Sequence, residues 1–564
     1  MFMRSTILAS AIFALLPITA VSAPKAGDYL AARQAAIAND FAAGITYFEQ
    51  ALDGDPTNPF LLENAINAAV SIGDFATAGP LASTLIATGT ASQIAHIVQS
   101  VNTANNNNWD SVSTLLESGQ EIGPLIDGLT QAWALVGRGQ MSAALQSFDT
   151  LSETDGMASY TAYHKALALA YVGDFENAEV LFAQSAETGM SYTRRAAIAH
   201  TRVLSNLDRS DDALALLDSV FGKQTDPTLV DIRTALINGE MLPFNHVRSA
   251  QDGLSEVYLA VAQVLLRDGN DAYTLRFARA AMALNPDNTD ALLISASLLE
   301  NLGQYDLATA AYAGIADDDP AFQSAELGRS EALRKAGKLD EAIVVLSGLT
   351  ARYPDMPRVH AAAADLFREA DDLAAAKDSY TTALGLYDTA DPIKWFIYYA
   401  RGITNHSLDD WPAAESDFRA ALALNKDQPQ VLNYLGYSMV ERGINLDEAL
   451  QMIETAVAAE PRNGAIVDSL GWVLFQLGNY DDAVGHLENA ASLLPVDPII
   501  NDHLGDAFWA VGRFVEAQFQ WNRALSFDPL EANATRIRRK LDVGLDAVLV
   551  EEGAAPIGAQ SDDD

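Results

Sequence analysis

Three stretches between Pro429 and Glu531 copy one another at a nearly fixed spacing. Gly436, Gly471 and Gly505 recur at intervals of 35 and 34 residues. Ala449, Ala483 and Ala517 recur at 34 and 34, as do Ala456, Ala490 and Ala524, and Pro461, Pro495 and Pro529. Four columns sharing one period are an internal repeat, and a repeat of this length excludes a single compact core.

Each column has a physical reason. In the copy that starts at Gly464, residues Val467, Leu470, Gly471 and Leu474 fall on one face of a helix. Gly478-Asn479 breaks it, and Ala483, Leu487 and Ala490 form the face of a second helix. A glycine inside a helix costs about 1 kcal/mol against alanine. Gly471 is expected to recover that by admitting the second helix closely, at small Ala483. The prolines end the second helix, since proline cannot donate the next backbone bond. Asp497-Pro498 then offers an N-cap and a first-turn proline. One pair cannot bury both of its faces, so neighbouring pairs must stack into a solenoid.

These columns resemble the tetratricopeptide-repeat family. The resemblance implies an all-α fold: a right-handed superhelix of helix pairs whose first helices line a concave, peptide-binding face. About 14 units fit the chain. A narrower likeness lies in LNYLGYSMVERG, VDSLGWVLFQLG and NDHLGDAFWAVGR. They resemble the end of the periplasmic lipoprotein adaptor that delivers cell-wall hydrolases to a carboxyl-terminal processing protease. The lipidated cysteine of that family is missing here, which puts membrane tethering and the shared role in doubt. A repeat component of an envelope assembly machine (secretion, pilus or exopolysaccharide) remains the alternative.

Taken in order, residues 1–23 read as a leader. Arg4 precedes the apolar run Ile7 to Val21, and Val21-Ser22-Ala23 suits cleavage after Ala23. Export to the periplasm follows as an expectation. Residues 24–227 read as a degenerate N-terminal array, with Asn105 to Asn108 as an inter-helix loop. Residues 228–254, including GEMLPFNHVRSAQDG, fit no helix pair and read as an irregular joint or a strap across one face. The pattern returns over 255–531 with a short insertion around Tyr387 to Pro392. A capping helix is expected at 532–550, its basic cluster Arg536, Arg538, Arg539 and Lys540 facing solvent, and then an acidic tail at 551–564.

Charge narrows the partners. The formal net charge is −40, from 75 acids and 35 bases in 564 residues. Phosphates would be repelled, so nucleic acid is not expected as a partner. The acids either keep a long array soluble or steer a basic partner. No cysteine is present, which removes thiolate metal sites, disulfides and a cysteine nucleophile. The eight histidines are scattered, and no HExxH, GxSxG or phosphate loop occurs. No catalytic residue, metal or cofactor is expected, and no segment beyond the leader is apolar enough to span a membrane.

The expected partner is therefore a protein or extended peptide, neutral to basic, held on the first helices of the C-terminal array. Two rows stand out there: Asn433, Asp468 and Asp502, and then Tyr437, Trp472 and Asp506, with Trp509 beyond them. Amides and carboxylates would pair with a peptide backbone and aromatic rings would take its side chains. The other reading of the rings is that they pack between adjacent first helices.

Overall fold

The computed structural model describes residues 26–117, 121–187, 193–222, 227–388 and 391–557. The expected leader and the last residues of the acidic tail lie outside them. The described residues hold 31 α-helices, numbered here α1 (Ala26–Ile37) to α31 (Leu545–Glu551) in chain order, and no strand. No helix among them is long and apolar enough to cross a membrane.

One pair shows how the period becomes structure. Asn463 opens α26 (Gly464–Gln476) by accepting a hydrogen bond from the Ile466 amide. Gly478 turns the chain in the left-handed region, φ +81°, into α27 (Tyr480–Leu493). A Cβ on Gly471 would lie 2.5 Å from the Leu487 side chain. The same column gives 2.9 Å from Gly436 to Ile453 and 2.5 Å from Gly505 to Trp521. Close approach thus explains the glycines, but the side chain lying on each is that of the residue four beyond the column alanine, with the Ala449 carbonyl also 3.0 Å from the Gly436 position. Ala449, Ala483 and Ala517 are fully buried beside it.

First helices of successive pairs pack directly on one another. Examples are α24 (Pro429–Glu441) on α26, and α26 on α28 (Pro498–Ala510). Among the described residues no second helix packs comparably on the next second helix. The first helices therefore sit on the inner side of each bend.

The chain forms two compact units, Met1–Val345 and Leu346–Asp564. They divide within α19 (Leu339–Arg352), not at the expected joint, 228–254. That stretch is also only partly irregular. It contains nearly all of α13 (Pro227–Ile237), then a non-helical crossing at 238–249, then the start of α14 (Ala250–Leu265). The crossing is tied down: Leu242 exchanges hydrogen bonds with Ser205 and Asn206, and the Phe244 ring meets Phe175 edge-on.

Beyond the crossing, unit 1 folds back on itself. Helix α14 packs on α7 (Pro124–Gly137) and α9 (Ala158–Tyr171). Helix α15 (Asp271–Leu284) packs on α3 (Pro59–Ile72) and α5 (Gln93–Asn105). All four are first helices, so the inner face of the N-terminal pairs is filled by the chain's own next pair. The contact is a core, with Leu254, Val257, Tyr258, Leu275 and Ala278 fully buried. Polar groups fix its register. Arg279 donates to the Ser71 carbonyl at 3.0 Å, Tyr273 to Gln93 at 2.9 Å, and Asn105 to the Ala283 carbonyl at 3.0 Å. Asn105, expected as loop, is thus the last residue of α5 and a strut to α15. Nearby, Arg195 bridges Glu256 at 2.7 Å and Asp290 at 2.6 Å, giving the Glu256 carboxylate that α14 buries a counter-charge.

The described residues of unit 2 end in two helices instead of one cap. Gly544, at φ +85°, separates α30 (Glu531–Val543) from α31. Its missing Cβ is also required by packing, since Trp509 would lie 2.5 Å away.

Candidate functional site

The inner face of unit 2 carries the sequence-derived rows, and the structure splits them. Asn433, Tyr437 and Asp468 line a pocket of about 330 Å³ between α22 (Lys394–Ser407), α24, α26 and α28. Trp472, Asp502, Asp506 and Trp509 are taken by the chain itself.

Trp472 is sandwiched. Its ring stacks on His503 at 4.0 Å and on Phe475 at 4.9 Å, so it packs between first helices. Trp509 donates its indole N–H to Asp546 at 2.9 Å and lies on Gly544, under the cap. Asp502 and Asp506 both accept from the Lys540 ammonium, at 2.8 Å and 2.6 Å. Asp506 also accepts from the Trp521 indole at 2.8 Å. The Lys540 side chain is 0% exposed, so the expectation that it faces solvent is corrected. A buried carboxylate needs a counter-charge, and the first helix of the cap supplies one. Burial, followed by the charge of Asp506, raises the Asp502 carboxyl above its ordinary value, with Lys540 opposing.

Asp468 is buried and paired as well: His503 Nδ1 lies 3.0 Å and 3.1 Å from its two oxygens. It closes one wall of the pocket instead of offering a free carboxylate. The opposite wall is aromatic. Tyr434 stands 3.1 Å from His406 Nδ1, and burial lowers that imidazole below 6.5. Tyr437 is half-buried, and its hydroxyl is held protonated, first by burial and then by the charges of Glu441 and Asp468. The Asn433 side-chain oxygen is buried with no hydrogen-bond partner. Asp497 caps α28 through the Ile499 and Ile500 amides.

His406, Tyr434, Glu441, Ser469 and Asp497 were not singled out from the sequence, yet they complete this pocket. Glu441 had a signal: it lies one helical turn beyond Tyr437 on the same face. His406 had none, because it comes from an earlier helix pair. Among the described residues no group of His, Asp and Glu is arranged to hold a metal ion.

Models of the tetratricopeptide repeat match residues 302–366 and 441–498. Over 158 residues the chain is 28% identical to a TPR repeat-containing protein of Pseudomonas aeruginosa, covering 28% of this chain and 26% of that one. Over 184 residues it is 29% identical to tetratricopeptide repeat protein 13 of Homo sapiens, covering 32% of this chain and 21% of that one. The chain thus matches about a quarter or less of each relative's length. Among solved structures, the APC/C hetero-tetramer Cut9-Hcn1 is similar over 92% of this chain and 96% of its own, at 17% identity and a TM-score of 0.38. Yeast Tom70 is similar over 94% and 96%, at 13% identity and 0.34. Neither superposes closely enough to inform the site.

Proposed function

We propose that this tetratricopeptide-repeat protein is a non-enzymatic scaffold of the bacterial periplasm that holds a segment of another protein on the inner face of unit 2. One observation carries the reading: the inner face on α22 to α26 holds a pocket walled by aromatic and polar groups, whereas in unit 1 α14 and α15 pack on α3, α5, α7 and α9, with a pocket of about 440 Å³ left between α9, α11 (Arg194–Asn206) and α14. The unit 2 pocket pairs aromatic walls with polar groups that suit a peptide backbone. Export rests on the leader pattern at 1–23. The narrower role, bringing cell-wall hydrolases to a carboxyl-terminal processing protease, rests on the likeness of the repeats from Leu432 to Arg513.

The test is affinity capture from envelope extract with the full chain and with its Tyr437→Ala, Asn433→Ala double variant. A stoichiometric protein retained by the first and lost from the second is expected, with a processing protease or hydrolase among the captured proteins. Equal capture by both would overturn the assignment of the site.

A further inference from the structure

The unit 2 pocket also states what it would accept, if the docking reading above holds. Three carboxylates line it, from Glu441, Asp468 and Asp497, and no lysine or arginine does. All three are engaged. Asp468 faces His503 with both oxygens, and Asp497 holds two backbone amides. Glu441 is exposed at the rim and accepts from the Tyr437 hydroxyl. Inside, the Asn433 oxygen is a buried acceptor without a donor. That oxygen can accept a hydrogen bond from a donor outside the chain. A volume of about 330 Å³ takes one long side chain, not a folded element.

The next repeat shows the same chemistry met from within. Asp502 stands 34 positions after Asp468 and Asp506 stands 34 after Trp472. There the chain supplies its own base, Lys540. One repeat earlier Asp468 has His503, and among the described residues no lysine or arginine lines the pocket.

We propose that this pocket receives a single lysine or arginine side chain of the docked segment, with Glu441 and the Asn433 oxygen as its acceptors and the Tyr434 and Tyr437 rings as its walls. A cation over a tyrosine face gains attraction as well as packing. An apolar or acidic side chain would leave the Asn433 oxygen unmet and Glu441 without a counter-charge.

The test is selection of a random twelve-residue peptide display library on the full chain, followed by fluorescence anisotropy with the synthetic peptides. Selected peptides should carry a Lys or Arg whose change to Gln weakens binding at least tenfold. Glu441→Gln should weaken the parent peptide similarly and add little to the Gln-substituted one, the signature of a direct pair. Glu441 is exposed, so an unchanged melting temperature would show that the variant is folded. Peptides that need Tyr437 and Asn433 but tolerate loss of the base would overturn this inference and leave the docking site standing. Peptides indifferent to Tyr437 and Asn433, or no binders at all, would overturn both.

Discussion

Gly253 lies flat against the indole of Trp133. A Cβ on that glycine would come within 2.3 Å of the ring, and Trp133 is itself fully buried. This contact seats α14 on α7 and helps to close the inner face of the N-terminal pairs.

Gly253→Val should therefore destabilise unit 1. The ring has no free space to yield into, and overpacking of this kind costs about 1–3 kcal/mol. Differential scanning calorimetry of the full chain should show a lowered transition. Peptide binding to the unit 2 pocket should be unchanged, because Gly253 does not line it.

Lys540→Met keeps the volume of a buried side chain and removes its charge. Asp502 and Asp506 would then be buried without their ammonium, a loss of about 3–5 kcal/mol. The loss should depend on pH. The folded chain already holds a proton on Asp502 above the ordinary value of 3.8, where the unfolded chain has released it. A raised carboxyl gives stability at low pH that is lost as pH rises through the folded value. Without Lys540 the carboxyl rises further, so chemical denaturation should show the deficit shrinking as pH falls from about 7 toward 5.

His503 should titrate high. Burial opposes its charge, but Asp468, and then Asp502 and Asp506, outweigh burial and lift the imidazole above 6.5. The folded chain thus binds this proton more tightly than the unfolded one. That stabilisation is complete below 6.5 and fades as pH climbs through the folded value. Asp468→Asn should lower the titration midpoint of the His503 ring, read from its NMR shift, and flatten the rise in denaturation midpoint on acidification from about pH 8 to 6.

Asp502→Ala and Asn433→Ala should separate fold from binding. The first removes one of two carboxylates on a buried lysine and should lower the melting temperature by several degrees, since about 1 kcal/mol moves it by a few degrees in domains of this size. The second removes an acceptor that nothing in the chain uses, so the melting temperature should hold while peptide affinity falls. A fall in both for Asn433→Ala would place it in the packing.

Some of this was settled by the order of residues alone. A period of 34 fixes helix pairs, and it puts the same position of each copy against the second helix of its own pair, as Gly436, Gly471 and Gly505 show. Such contacts lie within one or two units along the chain, so a local pattern encodes them. The period could not say that Lys540 would turn inward, because the sequence of α30 offers four basic residues and only packing against α28 selects one. Nor could it show α14 and α15 lying on α3, α5 and α7. Asn105 meets Ala283 across 178 residues, and no periodic signal relates two such positions. That pairing was decided by shape: a curved row of first helices leaves an apolar hollow, and burying it with the chain's own next pair removes more surface from water than leaving it open.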